Sequence, residues 1–472
     1  MSHDQHDLEQ PINDATTGAT SQRDTLDELV DAVAHQGISR RAFLRRAVAT
    51  GLSLSAAASL LAACGGSTGA TSTPKSIDLL NVWGSTELDS FKAVVAPFQS
   101  QSGITVNLES TRDLDAVLTT RIQGNNPPDI AILPNPGKMQ QLASQHHLIA
   151  LNDMVDMSQV QQDYSKTVLD LGSYQGKLYS IFYKAANKGT IWYNPATFQS
   201  ANYTVPAAWT DLVALSGQIA GSGSYPWSMG VESGASSGWP AADWIAQIYL
   251  NQSGPDMYDK WVAHQIPWTD ASIASAFQMF GQIAAGNHYI NGAPQSILST
   301  NFQDATYSPY TSPPKATMNY LGDFAAGFIG TQFPNLKPGT GFNFFPFPTI
   351  NTQYAGALTG GADLVTALRD NGAVRQLVKY LATAQAQEIW VKRGGFTSVN
   401  KSVPLSAYPD PVAQASAKAL TSAPTFRFGA DDLMPPPVEQ AFWTGCLTFI
   451  GNPGQLNSVL STIEGVAAQA YH

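Results

Sequence analysis

Apolar positions along this chain keep two different periods, and the switching between them gives the first expectation of the fold. Ile77 to Trp83 is a short apolar run that ends at Gly84-Ser85-Thr86-Glu87. Leu88, Phe91, Val94, Val95 and Phe98 then recur at the spacing of one helix face. Gly103 to Leu108 alternates like a strand, and a second helical stretch carries Leu114, Val117, Leu118 and Ile122. Asn126-Pro127-Pro128-Asp129 leads into the apolar run Ile130 to Leu133. Strand, helix, strand, helix, strand predicts an α/β unit with a mostly parallel sheet. Ligands of such sheets sit beyond the carboxyl ends of the strands. That rule selects Trp83, Gly84, Glu87, Pro134 and Asn135, each following directly on a predicted strand.

The pattern before residue 77 is different. Residues 1 to 38 are polar and acidic without a sustained apolar period, and read as a largely disordered leader. Ala47 to Ala63 is apolar, but it is short for a bilayer core of about 30 Å and rich in Ala, Ser and Gly, so a permanent span is not expected. Ser39-Arg40-Arg41-Ala42-Phe43-Leu44-Arg45 resembles the twin-arginine export signal, with Arg45 where a lysine is usual. Leu61-Ala62-Ala63-Cys64-Gly65 resembles a lipobox, which implies cleavage after Ala63 and a diacylglycerol on Cys64. Residues 1–63 are then a leader and signal, and residues 64–76, rich in Gly, Ser and Thr, a flexible tether. The expected location is the outer face of the cytoplasmic membrane.

The 409 residues from Cys64 onward suffice for two or three domains. They hold 20 Lys or Arg against 27 Asp or Glu, a mildly acidic balance without a basic cluster, which argues against a nucleic-acid partner. Only 13% of residues are charged while 10% are aromatic, and Asn, Gln, Ser and Thr abound, a mixture suited to a neutral polar ligand. His146, His147, His264, His288 and His472 show no ligand spacing on one helix, so no metal or other cofactor is expected. With Cys64 lipidated, Cys446 has no partner and no intrachain disulfide is expected.

The strand-and-helix opening, NNPPDIAILPNPGKMQQLASQHHLIAL (125–151), GKLYSIFYKAANKGTIWYNPATF (176–198) and AAWTDLVAL (207–215) together resemble an extracellular solute-binding protein of the sugar-importing ABC transporter family, of the maltose-binding type. GVESGASSGWPAADWI (230–245), GGADLVTALRD (360–370), GGFTSVNKSV (394–403) and DDLMPPPVEQAFWTG (431–445) are similar to the α-glucoside-binding members. Those members often carry cysteines near the positions of Ser228 and Thr317, and this chain has neither. The resemblance implies a two-lobe periplasmic-binding-protein fold with discontinuous lobes and a hinge. Lobe one is expected to combine residues 77–184 and 348–400, and lobe two residues 185–347 and 401–472. Strands at 179–182 and 190–193 would flank the hinge, and 342–347 would return the chain. Neither lobe is contiguous, so a cut at the midpoint should not give two folded domains.

A sugar presents hydroxyls, which suit Asp, Glu, Asn and Arg, and apolar C–H faces, which suit Trp and Tyr rings. A hydrogen bond to a charged partner contributes roughly 1.5–3 kcal/mol, so a few carboxylates should set specificity while rings supply area. Trp239 and Trp244 flank Pro240 and Asp243 after a Gly/Ser-rich approach, which leaves either one in the cleft or both under the lobe. The resemblance places Trp443 where maltose-binding relatives carry a sugar-stacking tryptophan, and Phe324 where they carry another ring, although Phe also suits a core. Glu87, Asn135, Asp243, Asp323 and Asp363 lie at predicted element ends, where helix N-caps account for Asp and Asn equally well. Arg112 offers a fork for hydroxyls or a solvated helix start, and Gly360-Gly361 either a backbone approach to ligand or a turn.

Gly234-Ala235-Ser236-Ser237-Gly238 satisfies the nucleophile-elbow pattern formally, but no apolar strand precedes it and Trp-Pro follows, so serine hydrolysis is not expected. A glycoside hydrolase with two facing carboxylates, or a sugar sensor without transport, are the alternatives to a binding protein. The expectation is a monomeric, lipid-anchored binding protein, not an enzyme, that captures a di- or oligosaccharide, an α-glucoside, and presents it to an ABC permease.

Overall fold

The computed structural model describes residues 74–471. The export signal at Arg40 and Arg41, the lipidation site Cys64 and most of the tether lie outside the described residues.

The first strands and helices form where the apolar periods place them. β1 (Ser76–Asn81), β2 (Thr105–Ser110) and β3 (Ile130–Leu133) pair in parallel, with β1 between the other two. Side chains on successive residues fall on opposite faces: Ile77 and Leu79 enter one core with Ile130 and Ile132, Leu80 enters another with Ala131 and Leu133. Both faces are covered, which is why these strands read as continuous apolar runs. The 18-residue helix α1 (Ser85–Ser102) starts from extended Gly84 and stops at left-handed Gly103, burying Phe91, Val94, Val95 and Phe98. Glu87 stands in its first turn, where the helix dipole favours a carboxylate. α2 (Leu114–Gln123) buries Leu114 and Leu118, and α3 (Pro136–Ser144) follows β3 after two residues.

The sheet is completed by distant segments. β4 (Ser180–Asn187) continues into β5 (Thr190–Tyr193), which belongs to a second sheet with β6 (Trp227–Ser228), β7 (Met318–Tyr320) and β8 (Asn343–Pro346) in the order β8-β5-β7-β6. The chain returns to the first sheet as β9 (Ala357–Ala367), eleven residues long and antiparallel to β4 along one flank. Its other flank pairs with β10 (Thr425–Phe428) through Ala357 to Gly360 and with β3 through Leu364 to Ala367. Three connections therefore cross between the sheets, at Lys188-Gly189, between β8 and β9, and after β10, giving the two-lobe α/β architecture.

The placement of β10 departs from the division expected for residues 401–472. β10 lies in the first sheet, and Ala407, Tyr408 and Ala417 pack in the first lobe's core. Local pattern does not report this, because an eight-residue gap or an eighty-residue one leaves the same apolar period. The second lobe's core gathers around the helix from Trp239 to Val262, which is kinked at Gly254 and Pro255, and includes Trp244, Trp261, Trp268 and the C-terminal helices. Ser228 lies opposite Asn319 in the β6–β7 pair. Here the Ser228 hydroxyl pairs with that of Ser308 at 3.1 Å. Cys446 is a buried free thiol. Among the described residues no helix is long and apolar enough to cross a membrane.

Candidate functional site

A cleft with about 870 Å³ of non-atom space, partly open to solvent, runs between the two sheets at the carboxyl ends of β1 and β3. Ten residues singled out as ligand candidates in the sequence line it: Trp83, Glu87, Arg112, Pro134, Asn135, Trp239, Phe324, Gly361, Asp363 and Trp443. The open choice between two tryptophans is decided by the helix turn. Trp239, in the first turn, reaches the cleft beside Phe302 and Phe324, with ring centroids 5.1 and 6.2 Å away. Trp244 lies on the buried side against Tyr320 and Trp227.

On the first-lobe wall, a bulge in the β4–β9 ladder sets the register so that Lys184 opposes Asp363. The Lys184 ammonium, 5% exposed, lies 2.8 Å from Glu87 Oε1 and 3.7 Å from Asp363 Oδ2, and 5.1 Å from the Phe324 ring centre. Burial opposes its charge, but Glu87 and Asp363 outweigh burial and hold its pKa above the usual lysine value. Burial pushes the Asp363 carboxyl up, against the pull of Lys184. The Trp83 indole N–H donates to Asp363 Oδ2 at 2.8 Å, while the ring itself is buried against Phe91 and Trp390. Trp83 thus serves more as core than as an open platform. Asn135 lines the cleft as a helix cap: its side-chain oxygen accepts from Lys138 N, and its amide donates to Glu439 Oε1 at 2.7 Å.

Opposite, Lys188 is held between Asp243 Oδ1 at 2.7 Å and Asp432 Oδ2 at 2.9 Å. Desolvation works against this ammonium too, and the surrounding carboxylates keep it well above the usual value. Burial drives Asp432 and Glu439 upward and Asp243 up to about 7. The Trp443 indole N–H donates to Asp431 Oδ2 at 2.7 Å, fixing the ring's edge. Gly361 is small for a reason visible here, since a Cβ on it would come within 2.8 Å of Lys188 Cε. Arg112 spans toward the second lobe, its guanidinium 5.1 Å from the Phe302 ring centre.

Two expected site residues are elsewhere. Asp243 is 2% exposed and turned to Lys188, because one turn beyond Trp239 on the same helix face it lies deeper, behind the Lys188 that lines the cleft. Asp323 accepts from Thr397 Oγ1 at 2.6 Å and Ser416 Oγ at 2.8 Å, pinning the second-lobe segment after β7 to first-lobe segments. Both carboxylates are consumed by internal partners and neither lines the cleft.

The residues missed in the sequence are Lys184, Lys188, Phe302, Asp431, Asp432 and Glu439, all on the cleft wall. One signal was available for the lysines: two cations in the otherwise buried run YKAANKG have to be paired. The Asp431-Asp432 pair opens the motif DDLMPPPVEQAFWTG, but its place at the cleft depends on β10 joining the first sheet. The arrangement offers carboxylates of both lobes, the Asn135 amide and the rings of Trp239, Phe302, Phe324 and Trp443, a set suited to hydroxyl groups and C–H faces. Among the described residues no group of three or more His, Cys, Asp or Glu side chains is arranged to hold a metal.

Residues 84–388 match the family described as bacterial extracellular solute-binding protein. The chain is 32% identical over 391 residues to the osmoprotective compounds-binding protein GgtB of Synechocystis sp., covering 83% of this chain and 92% of the relative. It is also 32% identical over 391 residues to the alpha-glucosides-binding periplasmic protein AglE of Rhizobium meliloti, covering 80% and 84% respectively. A crystal structure of the bacterial solute receptor AcbH superposes with a TM-score of 0.75 at 20% identity, covering 84% of this chain and 99% of the receptor. With its two sheets, three crossings and interlobe cleft, this chain belongs to the bacterial extracellular solute-binding protein family.

Proposed function

We propose that this protein captures a di- or oligosaccharide, an α-glucoside, between its lobes and delivers it to an ABC permease. The observation that carries the reading is the cleft itself, where Trp239, Phe324 and Trp443 stand among carboxyl groups of both lobes and the Asn135 amide. Rings cover the C–H faces of a sugar, and Glu87, Asn135 and Asp363 meet its hydroxyls. The relative named for α-glucosides supports the substrate class. Another relative is named for binding osmoprotective compounds. A bound ligand touches both walls and stabilises the closed form by its differential affinity, and the closed form docks on the permease. No cofactor takes part. Cleavage after Ala63 and a lipid on Cys64 would hold a monomer at the outer face of the membrane.

Tryptophan fluorescence and thermal shift of the full chain, titrated with maltose, trehalose, sucrose, isomaltose, glucose, a polyol and a charged amino acid, test this. Saturable binding of an α-glucoside with a raised melting temperature is expected. Trp443→Ala and Trp239→Ala should each weaken it about tenfold or more, the loss of one stacking face. A response to the amino acid alone would remove the sugar assignment.

A further inference from the structure

Glu439 joins the two lobes through a carboxyl that has no cation of its own. It stands in the first turn of the helix Pro436–Gly451, which packs into the second lobe's core through Val438, Phe442 and Cys446. Its Oε1 nevertheless takes the Asn135 amide of the first lobe at 2.7 Å, and the residue is 3% exposed. The shielding comes from the start of α3, packed so closely on the crossing after β10 that a Cβ on Gly137 would run into Met434 O. Facing Glu439 are Asp431 and Asp432 on that crossing and Asp115 on α2. Beside them lie Asp243 and Tyr258 of the kinked helix, the Tyr258 hydroxyl donating to Phe428 O, and the buried Cys446 thiol. The two lysines of this region are engaged elsewhere, Lys138 with Asp115 at 3.3 Å and Lys188 with Asp243 and Asp432. Among the described residues no lysine or arginine lies within salt-bridge distance of Glu439, and Asn135 is its one side-chain hydrogen-bond partner. The helix dipole and that amide favour the charged form. Burial, then Asp432, Asp431 and Asp115, oppose it and push the carboxyl well above the usual range.

We propose that Glu439 is a proton-binding site that couples closure of the lobes to pH: the closed form holds the carboxyl neutral, and its ionisation favours an open form in which the carboxylate meets water. The proton comes from solvent as the lobes close and returns to it as they part. Hydrated in the open form, the carboxyl titrates near its usual value of 4.5, and closing raises it. The proton's contribution to closure is therefore fully present below the open-form value and is lost as pH rises through the closed-form one. A ligand that bridges the lobes favours the same state, so across that window its affinity should fall about tenfold per pH unit. The proposal goes beyond the sugar reading and needs only the two lobes.

Small-angle scattering of the ligand-free full chain at about pH 5.5 and about pH 8.5 tests the proposal without any sugar. The wild type should have the larger radius of gyration at the higher pH. Glu439→Gln, a neutral isostere that still accepts from Asn135, should keep its low-pH radius at both. Calorimetric titration with maltose and trehalose, in buffers of different ionisation enthalpy, should show about one proton fewer taken up per bound ligand in Glu439→Gln than in the wild type. A 13C carboxyl titration of the wild type labelled at glutamate reads the same proton with no substitution, and one glutamate should titrate well above the ordinary range. Equal wild-type radii at both pH values, the same pH response in wild type and Glu439→Gln, or no glutamate titrating above the ordinary range would overturn the proton site. The scattering and carboxyl arms need no ligand, so they decide it whichever solute binds.

Discussion

Replacing Lys188 by methionine removes a charge while keeping the length of the side chain, and it tests what holds the cleft's second wall. The ammonium lies 2.7 Å from Asp243 and 2.9 Å from Asp432, and the three side chains are only 10%, 2% and 12% exposed. Removing one partner of such a buried group costs about 3–5 kcal/mol, because the charges left behind are neither solvated nor paired. The stranded carboxyls have one escape, protonation. From an unfolded pKa near 3.9, at about 1.4 kcal/mol per unit, that costs about 5 kcal/mol per carboxyl at about pH 7.5 but only about 1.5 at about pH 5. Lys188→Met should therefore lose about 3–5 kcal/mol in urea unfolding near neutrality and regain most of it in acid. The wild type has its own slope. Burial raises Asp243 to about 7, so the stability its proton contributes is fully present below about 3.8 and is lost as pH rises through about 7. Lys188, with its pKa raised, keeps its contribution across that window and loses it only above its usual value. A loss of the same size at both pH values, or one below about 1 kcal/mol near neutrality, would refute the view that this ammonium compensates two buried carboxylates.

Asp323→Ala should destabilise the protein by about 2–4 kcal/mol, since the Thr397 and Ser416 hydroxyls lose a buried acceptor. Ligand affinity of the folded protein should stay nearly constant, and a collapse of affinity at unchanged stability would return Asp323 to the binding site. At the rim, Asp113 Oδ1 accepts from Ala235 N at 3.3 Å and the Ser236 hydroxyl reaches Arg112 O at 3.5 Å, contacts that join the lobes without ligand. Asp113→Ala should leave the melting temperature almost unchanged but raise the radius of gyration of the unliganded protein in small-angle scattering. An unchanged radius would show that the rim contact does not bias closure. Gly238 has φ 109°, and a Cβ on it would come within 2.5 Å of Trp443 O. Gly238→Ala should cost about 1–3 kcal/mol of backbone strain and displace both Trp239 and Trp443, read as a joint loss of stability and ligand-induced fluorescence change.

The sequence by itself determined the elements and the strand-end positions. Buried strands and one-faced helices are short-range patterns, so Ile77–Trp83, the Leu88–Phe98 face and Ile130–Leu133 announce themselves, and the ends of β1 and β3 point to Trp83, Glu87 and Asn135 before any fold is known. Tertiary structure decided everything that depends on pairing across distance. It put β10 in the first sheet, and with it Asp431 and Asp432 at the cleft. It chose Trp239 over Trp244 by half a turn of helix, and turned Asp243 and Asp323 to internal partners. An Asp beside a turn looks the same in sequence whether it meets a ligand, caps a helix or neutralises a lysine more than fifty positions away. The difference lies in which desolvated charge the fold brings within three ångströms of it, and no local period encodes that.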